Sequence, residues 1–271
     1  MMYADFPKHQ TTERSLVRAS LMSVDLQVAK VLNENEHTVQ TGRYMLTLVP
    51  AKENGRFDQK VSFELRDVTN QQLLWTKYFE HERPGYYVDA PGNSLVLRWQ
   101  AGSQAAQALA KADPEAASRL APFRNKDGIE FLQVFNLETG KLRAQMAIDT
   151  GKNSFSIRDP IATGDRVVLA DSQHRVLVYS LAGEQKGVIA GNHPEVSSEA
   201  DLMTVHTERN HLELYDLATL QPRAVYDFTM PVVFNGFSGD GKRMLVLTSD
   251  QVVYTFDLTQ STGMNSAANK Q

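Results

Sequence analysis

Short strand-like segments that end in a polar residue recur along this chain at a nearly constant spacing, and that repeat constrains the fold more than any other feature. Val61-Ser62-Phe63-Glu64-Leu65-Arg66-Asp67 runs into Val68-Thr69-Asn70, and Phe131-Leu132-Gln133-Val134-Phe135-Asn136 runs into Leu137-Glu138-Thr139-Gly140. Val176-Leu177-Val178-Tyr179-Ser180, Leu212-Glu213-Leu214-Tyr215-Asp216 and Val252-Val253-Tyr254-Thr255-Phe256-Asp257 follow the same plan, each with Leu next. Leu21-Met22-Ser23-Val24-Asp25 is a weaker copy. The terminal polar residues are Asp25, Asp67, Asn136, Ser180, Asp216 and Asp257, at intervals of 42, 69, 44, 36 and 41 residues.

Period-two alternation with β-branched and aromatic residues excludes a helical repeat of similar length. A period near 40 divided into four short strands predicts an all-β chain, a β-propeller of about five four-stranded antiparallel blades in a closed or an incomplete ring. The last interval divides most clearly, into strands at 223–228, 232–237, 244–248 and 252–256. Ser238-Gly239-Asp240-Gly241-Lys242 makes its central turn, because Gly tolerates positive φ. The preceding interval reads as 142–148, 154–158, 166–170 and 175–179 around Thr163-Gly164-Asp165. In this reading each fourth strand ends at the polar anchor, and Phe237, Leu245 and Val253 are core positions.

The long interval contains an insertion at residues 101–127. Ser103 to Lys111 is rich in helix formers, and Asp113 followed by Pro114 and Glu115 is an N-cap with Pro at the first helical position. A second short helix should run through Leu120 and stop near Pro122. The reading places this helical pair between a third strand at 95–100 and a fourth at 129–135, outside the stack of blades.

Phe237-Ser238-Gly239-Asp240-Gly241-Lys242, with Leu245 to Thr248 and Val253 to Leu258, resembles a WD-repeat or YVTN-type blade. Asp67 to Trp75 and Leu137-Glu138-Thr139-Gly140-Lys141 resemble the blade turns of quinoprotein-like propellers. The resemblance spans about residues 15–258 and implies architecture rather than a subfamily; the Gly-His and Trp-Asp signatures of true WD repeats are absent. It implies six to eight blades in a closed ring, with loops between third and fourth strands on the side opposite the usual ligand face. Quinoprotein dehydrogenases of the methanol type also use an adjacent-Cys disulfide, and this chain has no Cys.

Twenty-eight basic and 32 acidic residues are mixed along 271 positions, for a net charge of −4, without the basic block that nucleic-acid binding calls for. The absence of Cys removes thiolate metal sites and a Cys nucleophile. No run of 18 apolar residues predicts a membrane span, and the polar first ten residues lack a signal-peptide core. That start suits a cytoplasmic protein, or an exported one if more chain lies upstream.

Side chains that could carry chemistry read more simply as structure. His206 and His211 flank Glu208, but they sit five apart on a strand and turn, not four apart on a helix as in metalloproteases. His193-Pro194-Glu195 reads as a loop. Gly183, Gly187 and Gly191 do not form a dinucleotide fingerprint, and Asp159, Asp165 and Asp171 flank turns. Trp75, Trp99, Tyr86 and Tyr87 form either an aromatic ligand platform or inter-blade packing, and packing is favoured. No catalytic, cofactor-binding or metal-binding residue is assigned, and no cofactor is implied. The expected function is a non-catalytic scaffold for a protein or other ligand; the alternatives are a quinoprotein-like dehydrogenase, a YVTN-type lactonase, or a fragment of a larger protein. Residues 1–14 and 259–271 are expected to be tails, the latter disordered. Residues 16–24 read as a surplus outer strand, pointing to missing upstream blades or a partner that completes the arc.

Overall fold

The computed structural model describes residues 37–259 apart from 42, 54–55, 90–91, 125 and 151–156, together with 269–270. The expectations for residues 1–36, including the strand at 16–24 and the copy ending at Asp25, lie outside the described residues, as do 154–156 and 260–268.

Among the described residues, twenty strands form five four-stranded antiparallel sheets, each in simple chain order. The first holds β1 (His37–Thr41), β2 (Tyr44–Glu53), β3 (Arg56–Asp67) and β4 (Gln72–Phe79). The second holds β5 (Gly85–Asp89), β6 (Ser94–Gln100), β7 (Ile129–Asn136) and β8 (Leu142–Asp149). The third holds β9 (Ile157–Thr163), β10 (Arg166–Asp171), β11 (Arg175–Ser180) and β12 (Gln185–Ala190). The fourth holds β13 (Asn192–Ser197), β14 (Leu202–Glu208), β15 (His211–Asp216) and β16 (Pro222–Asp227). The fifth holds β17 (Val232–Phe237), β18 (Arg243–Thr248), β19 (Val253–Asp257) and the two-residue β20 (Asn269–Lys270).

The five anchor residues end β3, β7, β11, β15 and β19, as the repeat predicts, but these are third strands and not fourth ones. The cause lies in the turn each anchor builds. Asp67 Oδ1 accepts from the amide and hydroxyl of Thr69, at 2.9 and 2.6 Å. Asn136 does the same with Thr139, Asp216 with Thr219 and Asp257 with Thr259. Such a side chain folds the backbone back on itself within a few residues, so the strand that follows a described turn of this kind pairs with the strand before it. Thus β16, read as the first strand of the last blade, is the outer strand of the fourth sheet.

The residue after each anchor closes a second link. The amides of Val68, Leu137, Leu181, Leu217 and Leu258 donate to the carbonyls of Arg43, Asn93, Asp165, Asp201 and Lys242, all at 2.8–3.0 Å. Each acceptor lies between the first and second strands of the same sheet, so the end of every third strand is tied to the turn between the first two.

Four apolar clusters hold the sheets to their neighbours. Leu46, Phe63 and Leu65 meet Leu95, Leu97 and Phe131 between the first and second sheets. Val134 and Met146 meet Val167 and Leu169; Val168 and Val178 meet Met203 and Val205; Leu212 and Leu214 meet Met244, Val246 and Phe256. Among the described residues none of these clusters joins the fifth sheet to the first. On the fifth sheet the buried face is Met244, Val246, Tyr254 and Phe256, while Phe234, Leu245 and Val253 are 54%, 40% and 38% exposed. The core assignment of Leu245 and Val253 is therefore corrected. Met244-Leu245-Val246-Leu247 is apolar on both sides, so its alternation does not fix which side faces inward.

Two edge strands run through proline. β9 extends to Thr163 across Pro160, and His193-Pro194-Glu195, expected to be a loop, lies within β13. Both are innermost edge strands, where a missing N–H costs no ladder bond, and β13 bulges between Asn192 and Glu195. The third and fourth sheets are joined by Gly191 alone; its φ is +140°, and a Cβ there would stand 2.4 Å from Val205.

Candidate binding surface on the helical insertion

The insertion folds as its sequence dictates. Helix α1 (Gln104–Ala112) is capped by Ser103, whose Oγ accepts from the Ala106 amide at 3.1 Å. Helix α2 (Pro114–Leu120) is capped by Asp113, which accepts from Glu115 at 2.9 Å, and a 3-10 turn, Ala121–Phe123, ends it.

Its placement differs from the sequence expectation. It joins β6 to β7, second strand to third, because the anchors mark third strands. It consequently stands on the rim where the chain crosses between sheets. Glu82, in the crossing from β4 to β5, accepts from the amides of Gln104 and Ala105 at 3.0 and 2.7 Å. Those amides, Ala105 first, hold the carboxyl below its ordinary value, as a negative charge at a helix N-terminus favours.

The insertion is not outside the stack either. Ala105, Ala106 and Ala116 are buried in the same cluster as Trp99 and Phe131, closing the end of the core between the first two sheets. Small side chains permit this close approach of helix to sheet. A buried polar line fastens α2 as well: Gln133 donates to Gln145 at 2.9 Å, and Gln145 donates to Asp113 at 2.5 Å. Gln145, ahead of the Glu115 amide, pushes the Asp113 pKa down. Arg119 reaches the carbonyl of Ala182 at 2.9 Å. The outward side of the two helices borders a trough of about 370 Å3 lined by Lys111, Leu120, Phe123, Arg124 and Lys126, among others.

The other side chains singled out in the sequence take structural places. Trp75 lies on the first sheet, donates to the carbonyl of Leu137 at 2.7 Å and packs on Gly140 of the second; a Cβ at Gly140 would meet its ring at 2.8 Å. Trp99 is 4% exposed, and Tyr86 stacks edge-on with Phe63. These aromatics pack between two sheets, Trp75 from the first and Trp99 and Tyr86 from the second. Tyr87 packs instead toward the third sheet.

His206 and His211 belong to separate groups. His206 Nε2 lies 2.6 Å from Asn235 Oδ1, and Asn235 in turn donates to Thr204. Burial pushes the His206 pKa down, and His193 stands edge-on at 5.8 Å. His211 pairs with Asp227 at 2.6 Å, which raises its pKa. Asp171 accepts from the Gln173 and Arg175 amides within a turn, and Asp165 pairs with Arg166 at 3.0 Å. Asp159 lies in β9 and Gly183 in a turn at φ +84°. Among the described residues no three His, Asp or Glu side chains gather as a metal site, and no helix is long and apolar enough to cross a membrane. Sequence reasoning missed Glu82, the Gln133–Gln145 pair and the basic trough, none of which carries a short motif.

No family model and no curated protein matches the sequence. Among solved structures, "KlHsv2 with loop 6CD replaced by a Gly-Ser linker" superposes with a TM-score of 0.52 at 10% identity, over 83% of this chain and 61% of that one. The fold is a β-propeller. A weaker likeness, to HIRA(644–1017), has a TM-score of 0.44 at 13% identity over 70% of this chain and 53% of that one. The chain thus spans less than two thirds of either propeller-like neighbour.

Proposed function

We propose that this propeller is a non-catalytic scaffold that binds another protein, with residues 101–127 as its recognition element. The observation that carries this reading is the contrast between the two sides of the insertion. Its inner side is fastened by Glu82, by the Gln145–Asp113 bond and by buried alanines. Its outer side surrounds an open trough. A rigid platform raised on the rim of a repeat scaffold suits binding, because little conformational freedom is lost on association. The rim is the one that the resemblance to known propellers makes the usual ligand side.

A photo-crosslinking residue at Ser118, on exposed helix surface, tests this. The expected result is one discrete protein adduct that reforms when that protein is purified and mixed with this chain. Photo-crosslinkers at Gln104, Ser118 and Arg124 that all fail to trap a protein would refute the reading. Turnover of a lactone or alcohol by the purified chain would favour the enzyme alternative.

A further inference from the structure

The chemistry of the trough identifies the kind of partner, an inference that rests on the scaffold reading. Its floor is apolar, formed by Ala117, Leu120, Ala121 and Phe123. Its rim is basic, formed by Lys111 from the last turn of α1, Arg124 after the 3-10 turn, and Lys126. Among the described residues no acidic side chain lines it. Among the same residues Lys111 and Arg124 have no carboxylate partner, while Lys126 meets Asp149 only at 3.6 Å with both side chains well exposed. Such an exposed pair is weak and readily exchanged. Lys126 also lies 5.5 Å over the Phe123 ring, so charge and apolar surface are continuous. On a chain whose net charge is −4, this is a local reversal of sign.

We propose that the trough receives a peptide segment of a partner protein in which an acidic side chain stands beside an aliphatic or aromatic one. The acid meets Lys111 and Arg124, and the apolar neighbour covers Leu120 and Phe123. The trough is open to solvent, whereas sites for small molecules enclose roughly 70–90% of the ligand. A peptide laid across it keeps its backbone partly in water. Nucleic acid fits less well, since its backbone calls for a stripe of cations rather than three around an apolar floor.

Fluorescence anisotropy on the full chain, with a fluorescein-labelled peptide of alternating Glu and Leu, tests the assignment. Saturable binding is expected with Kd on the order of 10–100 μM. Lys111→Glu with Arg124→Glu should weaken it about tenfold, and raising the salt from low to physiological should weaken it several-fold. Both replaced side chains are exposed, so an unchanged melting curve shows that the variant is folded. Phe123→Ser should also weaken binding, which a purely electrostatic contact would not. No binding, equal binding of a matched peptide with Lys in place of Glu, indifference to the double variant, or tighter binding of a thymidine oligonucleotide would each overturn the proposal. If the adduct at Ser118 forms while the acidic peptide fails, the scaffold reading stands and this assignment falls.

Discussion

Replacing Gln145 with Met tests how the insertion is held to the propeller. Met matches Gln in length and roughly in volume, so the packing change is small. It cannot accept from Gln133 or donate to Asp113, the two bonds Gln145 makes. Gln133 and Gln145 are 5% and 1% exposed, so water does not replace what is lost. An orphaned buried amide costs about 1–3 kcal/mol, and two lost bonds add about 1 kcal/mol, for roughly 2–4 kcal/mol in all. For a structure of this size each kcal/mol moves Tm by about 2–4 °C, which gives a fall of about 4–16 °C. Hydrogen exchange in α2 should quicken, because Asp113 loses the donor that positions it. Gln133→Met combined with Gln145→Met removes both polar groups and should restore most of the loss, a coupling of about 1–3 kcal/mol. A single variant that melts within about 2 °C of the parent, or a double variant whose losses simply add, would refute the reasoning.

The two faces of the fifth blade should separate cleanly in urea unfolding. Met244→Ala, at a fully buried position, should cost about 2–5 kcal/mol, and Leu245→Ala, 40% exposed, under about 1 kcal/mol; equal losses would contradict the register. Gly191→Ala forces a side chain into φ +140° against Val205 and should cost about 1–3 kcal/mol or more by the same measurement, and a neutral result would be incompatible with that joint. Burial depresses His206 below its ordinary 6.5, so the unfolded chain takes up the proton first and stability falls as the pH drops below about 6.5. His206→Gln should flatten that acid limb in melts across pH. His211, raised by Asp227, stabilises fully below about 6.5 and loses its contribution as the pH rises through its folded value, so His211→Gln should flatten the alkaline side instead. An acid limb that survives His206→Gln assigns the effect elsewhere.

The architecture was legible because one turn is built four times from the same chemistry. Asp67, Asn136, Asp216 and Asp257 each end a strand in a turn through a Thr two or three residues on, and that pattern marks strand ends to the residue. Strand partnership was not legible. An anchor shows where a strand stops, while only the tightness of the turn beyond it shows that the next strand pairs backward. The helices announced themselves through Ser103, Asp113 and Pro114, local signals acting over one turn. Their burial did not, since alanine in an exposed helix and alanine pressed against Trp99 have the same sequence. The trough was hidden for a related reason: Lys111 and Arg124 meet only because α2 doubles back on α1.

The tie between repeat and sheet bears on how such a chain can change length. A stretch of sequence from one anchor to the next carries the outer strand of one sheet and three strands of the following one. If recombination duplicates or deletes such a stretch, the new junction falls in a hairpin whose shape comes from one Asp or Asn and one Thr, and it is much alike in most of the repeats. The crossings between sheets are not interchangeable in this way: one is the lone Gly191, and another carries Glu82, which holds a helix. Exchange at the anchors therefore splices inside a sheet and leaves every crossing with its own neighbours, so blades can be gained or lost without any crossing having to be rebuilt.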